Sequence, residues 1–413
     1  MADQHTARLE YYLVGGAVRD YVLHIPPHDN DYVVVGTTEQ DMLARGFKRV
    51  GKDFPVFLHP TNGCEYALAR TERKTAPGYN GFAMNAEPTV TLKEDLARRD
   101  LTINAMALRD DLFLIDPFNG VTDIANKILR HVSPAFAEDP VRILRVARFA
   151  AHYEFTVHPS TMQLMQQMVA AGEVNALTAE RVWQEMEKAL NTDHPSVFFN
   201  VLRECGALSV LFPELDRLWG VPQRVEFHPE VDTGVHVMLA LDMAALLSYD
   251  PEVRFATLMH DLGKGLTPAD ILPAHHGHEE AGVVPVQALC SRYKIPTHYT
   301  ELAVMAAREH GRVHIAHEMQ AKSIVNMLER CDAIRKPGRF AQLLTVCEAD
   351  SRGRTGLEAR PYPNREMLRK CSTAVRALRI GELVAGETNT NIIKQRIRIA
   401  RINAVRSALG SDQ

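Results

Sequence analysis

The chain has 413 residues, 46% of them hydrophobic and 24% charged, the proportions of a globular protein with room for several domains. A formal net charge of -4 excludes a protein that is basic throughout, so any nucleic-acid surface must be a local patch. Six scattered cysteines with no CxxC argue against a disulfide framework or a thiolate zinc site, and the strongest apolar stretch, Val235–Leu247, is too short to span a bilayer, which together predict a cytoplasmic protein with no membrane partner.

The first ~130 residues alternate strands and helices. Tyr12–Val14, Tyr32–Val35, Val56–Leu58, Glu65–Ala69 and Phe113–Ile115 read as short strands. Between the first two lies Leu13-Val-Gly-Gly-Ala-Val-Arg-Asp20, where paired glycines suit a tight turn whose backbone N–H groups approach a phosphate. Gly16 belongs to that turn, and Arg19, in the first turns of the following helix, adds positive charge. Asp29 and Asp31 are two residues apart in the predicted second strand, so both carboxylates would project from one face. Carboxylates beside a phosphate cradle are what two-metal phosphoryl transfer requires. Glu65, heading its strand, is either a third carboxylate for that pair or an ordinary edge residue. Arg70-Thr-Glu-Arg-Lys74, followed by Gly78 and Gly81, reads as a mobile basic loop that closes over a triphosphate or is simply solvated. Arg98-Arg-Asp-Leu-Thr-Ile-Asn-Ala-Met106 sets Arg99, Asp100 and Asn104 near a helix start, to meet a ribose or phosphate or merely to cap the helix.

After Ser133-Pro134 the pattern turns helical. Asp139 suits an N-cap and Pro140 the first helical position. Arg142, Arg145 and Arg148 then recur at three-residue intervals along one side of the helix. With Asp139 they form either a rigid array able to read a base edge or a salt-bridged surface stripe. Further on come His236, the pair His260-Asp261, then His275, His276 and His278, and finally Asp350. Imidazoles and carboxylates without thiolates suit Ni²⁺, Mn²⁺, Zn²⁺ or Mg²⁺ and commonly activate water for phosphoester hydrolysis. In the tail, Lys394, Arg396, Arg398, Arg401 and Arg406 flank an apolar stripe of Ile393, Ile397, Ala400 and Ala404. That helix either holds an RNA backbone by phosphate contacts or packs on the body with its arginines in water.

These motifs resemble the bacterial CCA-adding enzymes, class II tRNA nucleotidyltransferases, and in particular the multifunctional type carrying an HD domain. The anchors are Leu13–Asp20, Asp29-x-Asp31, Arg98–Met106, Asp116-Pro-x-x-Gly120, Glu138-Asp-Pro-x-Arg142-x-x-Arg145 and Leu177-Thr-x-Glu-Arg-Val-Trp-x-Glu185. The resemblance implies an α/β nucleotidyltransferase (polymerase-β-like) head over 1–132, then an all-α neck over 133–225, a body (the HD domain) over 226–340 and a tail over 341–413. It implies stepwise addition of C, C and A to tRNA from CTP and ATP without a nucleic-acid template. Asp29 and Asp31 would be catalytic and bind Mg²⁺. Gly16, Arg19 and Arg99 would contact the nucleotide, Asp139 and Arg142 would bond the incoming base, and Arg145 and Arg148 would face it. The HD resemblance implies phosphatase, 2′-nucleotidase and 2′,3′-cyclic phosphodiesterase activities. His236, His260, Asp261 and Asp350 would hold Ni²⁺ or another divalent transition metal, and the later histidines would be weaker ligands. Glu309-His-Gly311 stands where relatives can show a further His-Asp pair. The family commonly has Gly where His24 stands, which predicts a locally altered turn. The rival readings are a poly(A) polymerase, an HD hydrolase whose head has decayed, and a non-catalytic RNA-binding module. The chain would act as a monomer or a homodimer.

Overall fold

The computed structural model describes residues 3–27, 29–51, 56–74 and 82–410, leaving out the side chains of 72–74 and 82–84. The chain divides into two compact units: Met1–Val182 with Asn200–Ala207, and Trp183–Phe199 with Leu208–Gln413.

The first unit is built on a mixed seven-stranded sheet. Its strands are β1 (Glu10–Val14), β2 (Asp31–Val35), β3 (Lys48–Val50), β4 (Val56–Leu58), β5 (Glu65–Leu68), β8 (Ala107–Leu108) and β9 (Leu114–Ile115), in the order β3-β4-β5-β2-β1-β8-β9. β2 and β5 run parallel, and the remaining neighbours are antiparallel. Alternation along β2 sends Val33 and Val34 to opposite faces, and each anchors its own core. Val33 packs with Val14, Leu96 and Ala107, and Val34 with Met42, Phe57 and Tyr66. Burial on both faces fixes the register, so Val14 lies opposite Asp31 and Asp31 opposite Glu65.

Helix α1 (Gly16–Val22) follows β1, α2 (Glu39–Ala44) follows β2, and α3 (Leu92–Ala97) and α4 (Gly120–Ala125) flank the last two strands. In the Asp116–Gly120 anchor, Asp116 accepts the N–H groups of Gly120 and Val121 at 2.7 and 2.9 Å, so this motif caps α4. A Cβ on Gly120 would meet the Thr102 carbonyl at 2.4 Å, which excludes any larger residue there. Arg70–Lys74 is not simply a loop, because Thr71–Lys74 (β6) pairs with Phe82–Asn85 (β7) in a hairpin, and residues 75–81 lie outside the described residues.

His24 departs from the sequence expectation. It adopts φ 58°, the left-handed position a glycine would take, and the Ile25 N–H reaches the Asp20 carbonyl at 2.8 Å. The ordinary helix-ending turn is therefore kept, and a β-carbon is tolerated at a cost of about 1 kcal/mol.

The helical part of this unit starts with α5 (Val141–Tyr153), α6 (Pro159–Ala170) and the beginning of α7 (Ala179–Leu190). α5 starts one residue later than predicted, with Pro140 in front of it and the Asp139 carboxylate accepting the Val141 N–H at 3.1 Å. The chain on either side of α5 forms a short parallel ladder, β10 (Ile128–Leu129) with β11 (Thr156–Val157).

Among the described residues the second unit has no strand. After α8 (Ser196–Glu204), whose residues from Asn200 on fall in the first unit, and α9 (Ala207–Leu211) and α10 (Pro213–Asp216) come α11 (Thr233–Leu247) and α12 (Pro251–Met259). They are followed by α13 (His278–Ala281), α14 (Val283–Arg292), α15 (Thr297–His314), α16 (Ala321–Arg330) and α17 (Pro337–Arg352), and the unit ends with α18 (Pro363–Arg376), α19 (Ile380–Leu383) and α20 (Thr390–Gly410). α11, α12, α15 and α17 pack on one another as its centre. α11 is apolar on nearly every side and largely buried, as a central helix must be. Asp232 caps it, accepting from the Val235 N–H at 3.0 Å. No described helix is long and apolar enough to cross a membrane.

α20 packs against α16 and α18. Its predicted apolar stripe is only half-buried, and Val405 is its one buried residue. Arg401 and Arg398 lie 2.8 and 3.7 Å from Glu329, and Arg396 lies 3.3 Å from Glu387. The basic side chains are thus partly neutralised by the body.

Candidate functional site

Two constellations stand out, one in each unit. In the first, the turn between β1 and α1 is glycine for a stated reason. Gly15 has φ 72°, and a Cβ there would lie 3.0 Å from Arg99 Nη1. The absence of a side chain lets the Arg99 guanidinium close on the turn. Arg19 is buried, with Nε and Nη2 on Asp20 Oδ1 at 2.9 and 2.7 Å and Nη1 on Asn104 Oδ1 at 2.9 Å. Its guanidinium also lies over the rings of Tyr153 and Phe149, 4.9 and 5.3 Å from their centroids.

Asp31 opens β2, whereas Asp29 lies in the segment before it, so the expected pair within one strand is not formed. The two carboxylates still sense each other. Desolvation raises the Asp31 carboxyl above its ordinary value, Arg99 pulls it back, and the charge of Asp29 adds to the rise. Both are exposed, and Glu65 stands in register beside Asp31 on β5. Exposed oxygens that are not consumed by arginines suit a hard cation such as Mg²⁺.

The arginines of the Arg98–Met106 anchor do not face water. Fully buried Asp95 in α3 accepts from Arg98 Nη2 at 2.7 Å and from Arg99 Nη2 at 3.2 Å. Asp100 accepts the Leu101 N–H at 2.8 Å, Asn104 Nδ2 at 3.0 Å and Arg145 Nε at 2.7 Å. Burial alone would raise its pKa, but Arg145 and Asn104 outweigh that and hold the carboxyl well below the usual range.

On α5, Arg142 directs Nη1 to the Ala135 carbonyl and Nη2 to the Arg98 carbonyl, both at 2.7 Å. Arg148 lies over the Phe149 ring at 4.3 Å. The second Asp139 oxygen takes Arg181 Nη2 at 2.7 Å. Sequence reasoning missed Tyr153, Phe149 and Arg181. Arg181 lies inside a quoted motif and Tyr153 one α-helical stretch beyond Arg142, but nothing in their spacing announces a contact.

The second constellation gathers His236 from α11, His260 and Asp261 at the end of α12, and Asp350 from α17. His236 Nε2 lies 3.1 Å from Asp350 Oδ1, and His260 Nε2 lies 3.1 Å from Asp261 Oδ2 and 3.7 Å from Asp350 Oδ2. All four are buried. His260 Nδ1 is 2.6 Å from the Thr257 carbonyl, which holds the proton on Nδ1 and turns the Nε2 lone pair inward, as a metal ligand needs; His236 Nδ1 lies 2.9 Å from Glu230 but makes no hydrogen bond to it. Burial works against protonation of His236, but Asp350 and Glu230 overcome it and raise its pKa.

His260 Nε2 and Asp261 Oδ1 are buried with no hydrogen-bond partner, which a divalent cation would relieve, while Asp261 Oδ2 lies 2.7 Å from the Lys264 ammonium. Three ligand atoms, from His236, His260 and Asp350, lie within 4.8 Å of one another, and so do those from Asp261, His278 and His310. The protein groups therefore fit a metal. A cavity of about 960 Å³, lined among others by Lys264, His228, His278, His314, Arg354 and Tyr362, lies beside the cluster, with Lys264 and His314 of its wall in contact with Asp261 and Asp350.

Of the three later histidines, His278 joins the cluster. His275 is structural, with Nδ1 2.7 Å from Thr267 and Nε2 3.0 Å from the Pro222 carbonyl, and His276 is exposed on the cavity wall. The residues missed in the sequence are Glu230, His228 and His314, and His310, singled out there only within the incomplete Glu309-His-Gly311 pair, joins the cluster. The i, i+4 spacing of His310 and His314 on α15 was an available signal, since it puts both on one helix face. His314 Nε2 lies 2.6 Å from Asp350 Oδ2. Glu309 points elsewhere, to Arg330 at 2.7 Å.

Comparison with known proteins agrees with this division. Residues 11–130 match the poly A polymerase head domain, 154–218 the "probable RNA and SrmB- binding site of polymerase A", and 233–351 the HD domain. These matches define the class, a nucleotidyltransferase that carries an HD domain. Within it, the chain is 57% identical to a Multifunctional CCA protein of Thioalkalivibrio sulfidiphilus over 96% of its own length and 98% of the relative. It is 56% identical to that of Ralstonia nicotianae over 99% and 97%. The chain belongs to the multifunctional CCA protein family. The fold also matches solved structures at low identity. One is the Bacillus stearothermophilus CCA-adding enzyme in complex with CTP (TM-score 0.62, 22% identity, 98% of this chain and 91% of that one). Another is the Thermotoga maritima CCA-adding enzyme complexed with tRNA (0.63, 20%, 99% and 93%).

Proposed function

We propose that the protein adds C, C and A to tRNA 3′ ends from CTP and ATP without a nucleic-acid template. The observation that carries this reading is the meeting of Arg99 and Arg19 with the Gly15 turn, beside the exposed carboxylates of Asp29 and Asp31. Arg19, Arg99 and the N–H groups at Gly16 bind and orient the triphosphate. Asp29 and Asp31 are the magnesium ligands; Mg²⁺, when bound, supplies charge neutralisation for the phosphates and activation of the primer 3′-hydroxyl. Asp139 and Arg142, with Arg145 and Arg148 along α5, present acceptors and planar donor forks to the incoming base. Arg142 is preoriented for this by the Ala135 and Arg98 carbonyls. We place the head at 1–132 and the neck at 133–225, and extend the HD body past the expected limit of 340, because Asp350 belongs to its site and the HD match runs to 351.

In the HD domain, His236, His260, Asp261 and Asp350 are the ligands of Ni²⁺ or a similar divalent transition ion, whose chemistry is to activate water for attack on phosphorus. The activities are phosphatase, 2′-nucleotidase and 2′,3′-cyclic phosphodiesterase. Lys264 and Arg354 face the cavity and orient an anionic phosphoester. The test is extension of tRNA lacking its terminal CCA, with CTP and ATP supplied separately and together. CTP alone should add two residues, and both nucleotides three. Addition of A without prior C would point to a poly(A) polymerase instead.

A further inference from the structure

The cavity beside the HD cluster has one wall that the hydrolytic chemistry leaves unused. Residues from Gln223 to Val231 form a closed loop: Pro222 and Asp232 bridge at its base, and the Gln223 N–H reaches the Val231 carbonyl at 2.7 Å. Within it the N–H groups of Phe227 and His228 turn back on the Arg224 carbonyl at 3.1 and 3.0 Å. Arg354 pins the same turn, donating from Nη1 to the Phe227 carbonyl at 3.0 Å and from Nη2 to Asp350 Oδ1 at 3.1 Å. The backbone of Phe227 thus stands one guanidinium away from a carboxylate of the cluster.

The Phe227 ring does not use this rigidity to bury itself. It is 58% exposed and lines the cavity. A second hollow, of about 570 Å³, shares Gln223, Arg224, Phe227 and Pro273 with the first, so this stretch of the loop borders both. A phenyl ring held in place yet left in water forgoes the gain of burial until a flat partner covers it. Gln223 adds a polar group to the same wall. It is 4% exposed, and its Oε1 accepts from Lys264 Nζ at 2.6 Å. An ammonium only donates, so the amide is oriented with Nε2 as the spare donor, and that atom is buried without a hydrogen-bond partner. Lys264 in turn lies 2.7 Å from Asp261. The charged lining favours an anion, since Arg224, Lys264, Arg354 and Arg360 face a single carboxylate, Glu279.

We propose that Phe227 and Gln223 seat the nucleoside half of a phosphoester, the base stacking on the Phe227 ring and a ribose oxygen accepting from Gln223 Nε2. The inference rests on the reading of the HD domain as a phosphoesterase. Every base has a π-face, so a single ring selects nucleotides as a class over compact phosphoesters without choosing among bases.

The test uses the full chain loaded with Ni²⁺ and two substrates, adenosine 2′-monophosphate and isopropyl phosphate, which lacks both base and sugar. The readout is the ratio of their kcat/KM values. Phe227→Ala should lower the ratio about 5- to 150-fold, the worth of one base stacked on an aromatic ring, through KM for the nucleotide. Gln223→Leu should lower it about 2- to 12-fold, the worth of one hydrogen bond. Phe227→Trp should keep the ratio. In the metal-free chain its indole emission should be quenched by adenosine 2′-monophosphate beyond any change in the parent, which has two tryptophans. A ratio unchanged by Phe227→Ala, or a loss shared equally by both substrates, would overturn the stacking platform. An equal loss for both substrates in Gln223→Leu would overturn the ribose contact and leave Gln223 as a support for Lys264. If the parent hydrolysed neither substrate, the phosphoesterase reading would fall. The emission titration would then decide the base seat alone, quenching sustaining it and no quenching overturning it.

Discussion

The guanidinium of Arg19 lies over the Tyr153 ring, 4.9 Å from its centroid, and the Tyr153 hydroxyl donates to Asp20, the carboxylate that Arg19 grips, at 3.3 Å. The contact ties the last residue of α5 to the helix that follows the glycine turn. The chain of hydrogen bonds continues from Arg19 through Asn104 and Asp100 to Arg145, back on α5. Arg19 and α5 are thus joined at two points.

Tyr153→Leu removes the ring and the hydroxyl together. A cation–π contact in a partly desolvated place contributes about 1–2 kcal/mol, so kcat/KM for CTP incorporation should fall roughly 5- to 30-fold. Tyr153→Phe keeps the ring and should lose no more than about threefold. Steady-state extension assays on the three proteins measure this.

Asp100 makes acid sensitivity testable. Its folded pKa is depressed below the ordinary aspartate value because Arg145 and Asn104 outweigh burial. A depressed carboxyl contributes stability that is fully present above the unfolded pKa and is lost as the pH falls from there through the folded value. Asp100→Asn should therefore be less stable than the parent at pH 7, by about 2–3 kcal/mol, because a buried charged partner is removed. The gap should narrow below about pH 4. Denaturant titrations at several pH values measure it.

Arg254 is nearly fully buried and donates to four carbonyls, those of Leu190, Thr192, Ser248 and Ala245. Arg254→Met fills part of the volume but leaves those acceptors without a donor, at about 1–3 kcal/mol for each one that water does not reach. Thermal unfolding of the second unit should move down by several degrees.

Gly263 in the His260-Asp-Leu-Gly-Lys264 run has a steric duty. A Cβ there would lie 1.9 Å from the His278 carbonyl, so Gly263→Ala must displace α13 and His278 with it. We expect hydrolysis by the HD site to fall at least ~100-fold, with CTP incorporation unchanged. Equal loss of both activities would mean that the substitution unfolds the chain.

Asp31→Ala should abolish CTP and ATP incorporation and leave phosphoester hydrolysis intact, and His260→Ala should do the reverse. Paired assays on each folded variant check this. One substitution silencing both activities would contradict two separate sites.

Much of the head was readable because its signals are local. Apolar and aromatic runs marked β1, β2, β4 and β5, and a helix start was visible at Asp139-Pro140. The strand expected at Phe113–Ile115 is present as Leu114–Ile115, whereas the two-residue strands at Ala107, Ile128 and Thr156 are too short to carry a period and exist through tertiary pairing alone. The Asp29/Asp31 spacing suggested one strand, but the ladder begins only at Asp31, opposite Val14. In the HD domain the His-Asp pair was conspicuous. Glu230 and His314 were not, because their role depends on how α11, α15 and α17 pack, which sequence distance does not encode. His24 shows the opposite limit, since a residue type that argued against a glycine-like turn adopts it all the same.

The short ladder of Ile128–Leu129 with Thr156–Val157 has a mechanical meaning. It staples together the entry and the exit of α5, with the Thr156 N–H on the Lys127 carbonyl at 2.8 Å and the His158 N–H on the Leu129 carbonyl at 2.9 Å. A rod clamped at both ends resists rolling about its axis. If the proposed base readers stand on this rod, a switch in preference from one nucleobase to another would come from the chain moving around it, since Arg142 is itself pinned by the Ala135 and Arg98 carbonyls.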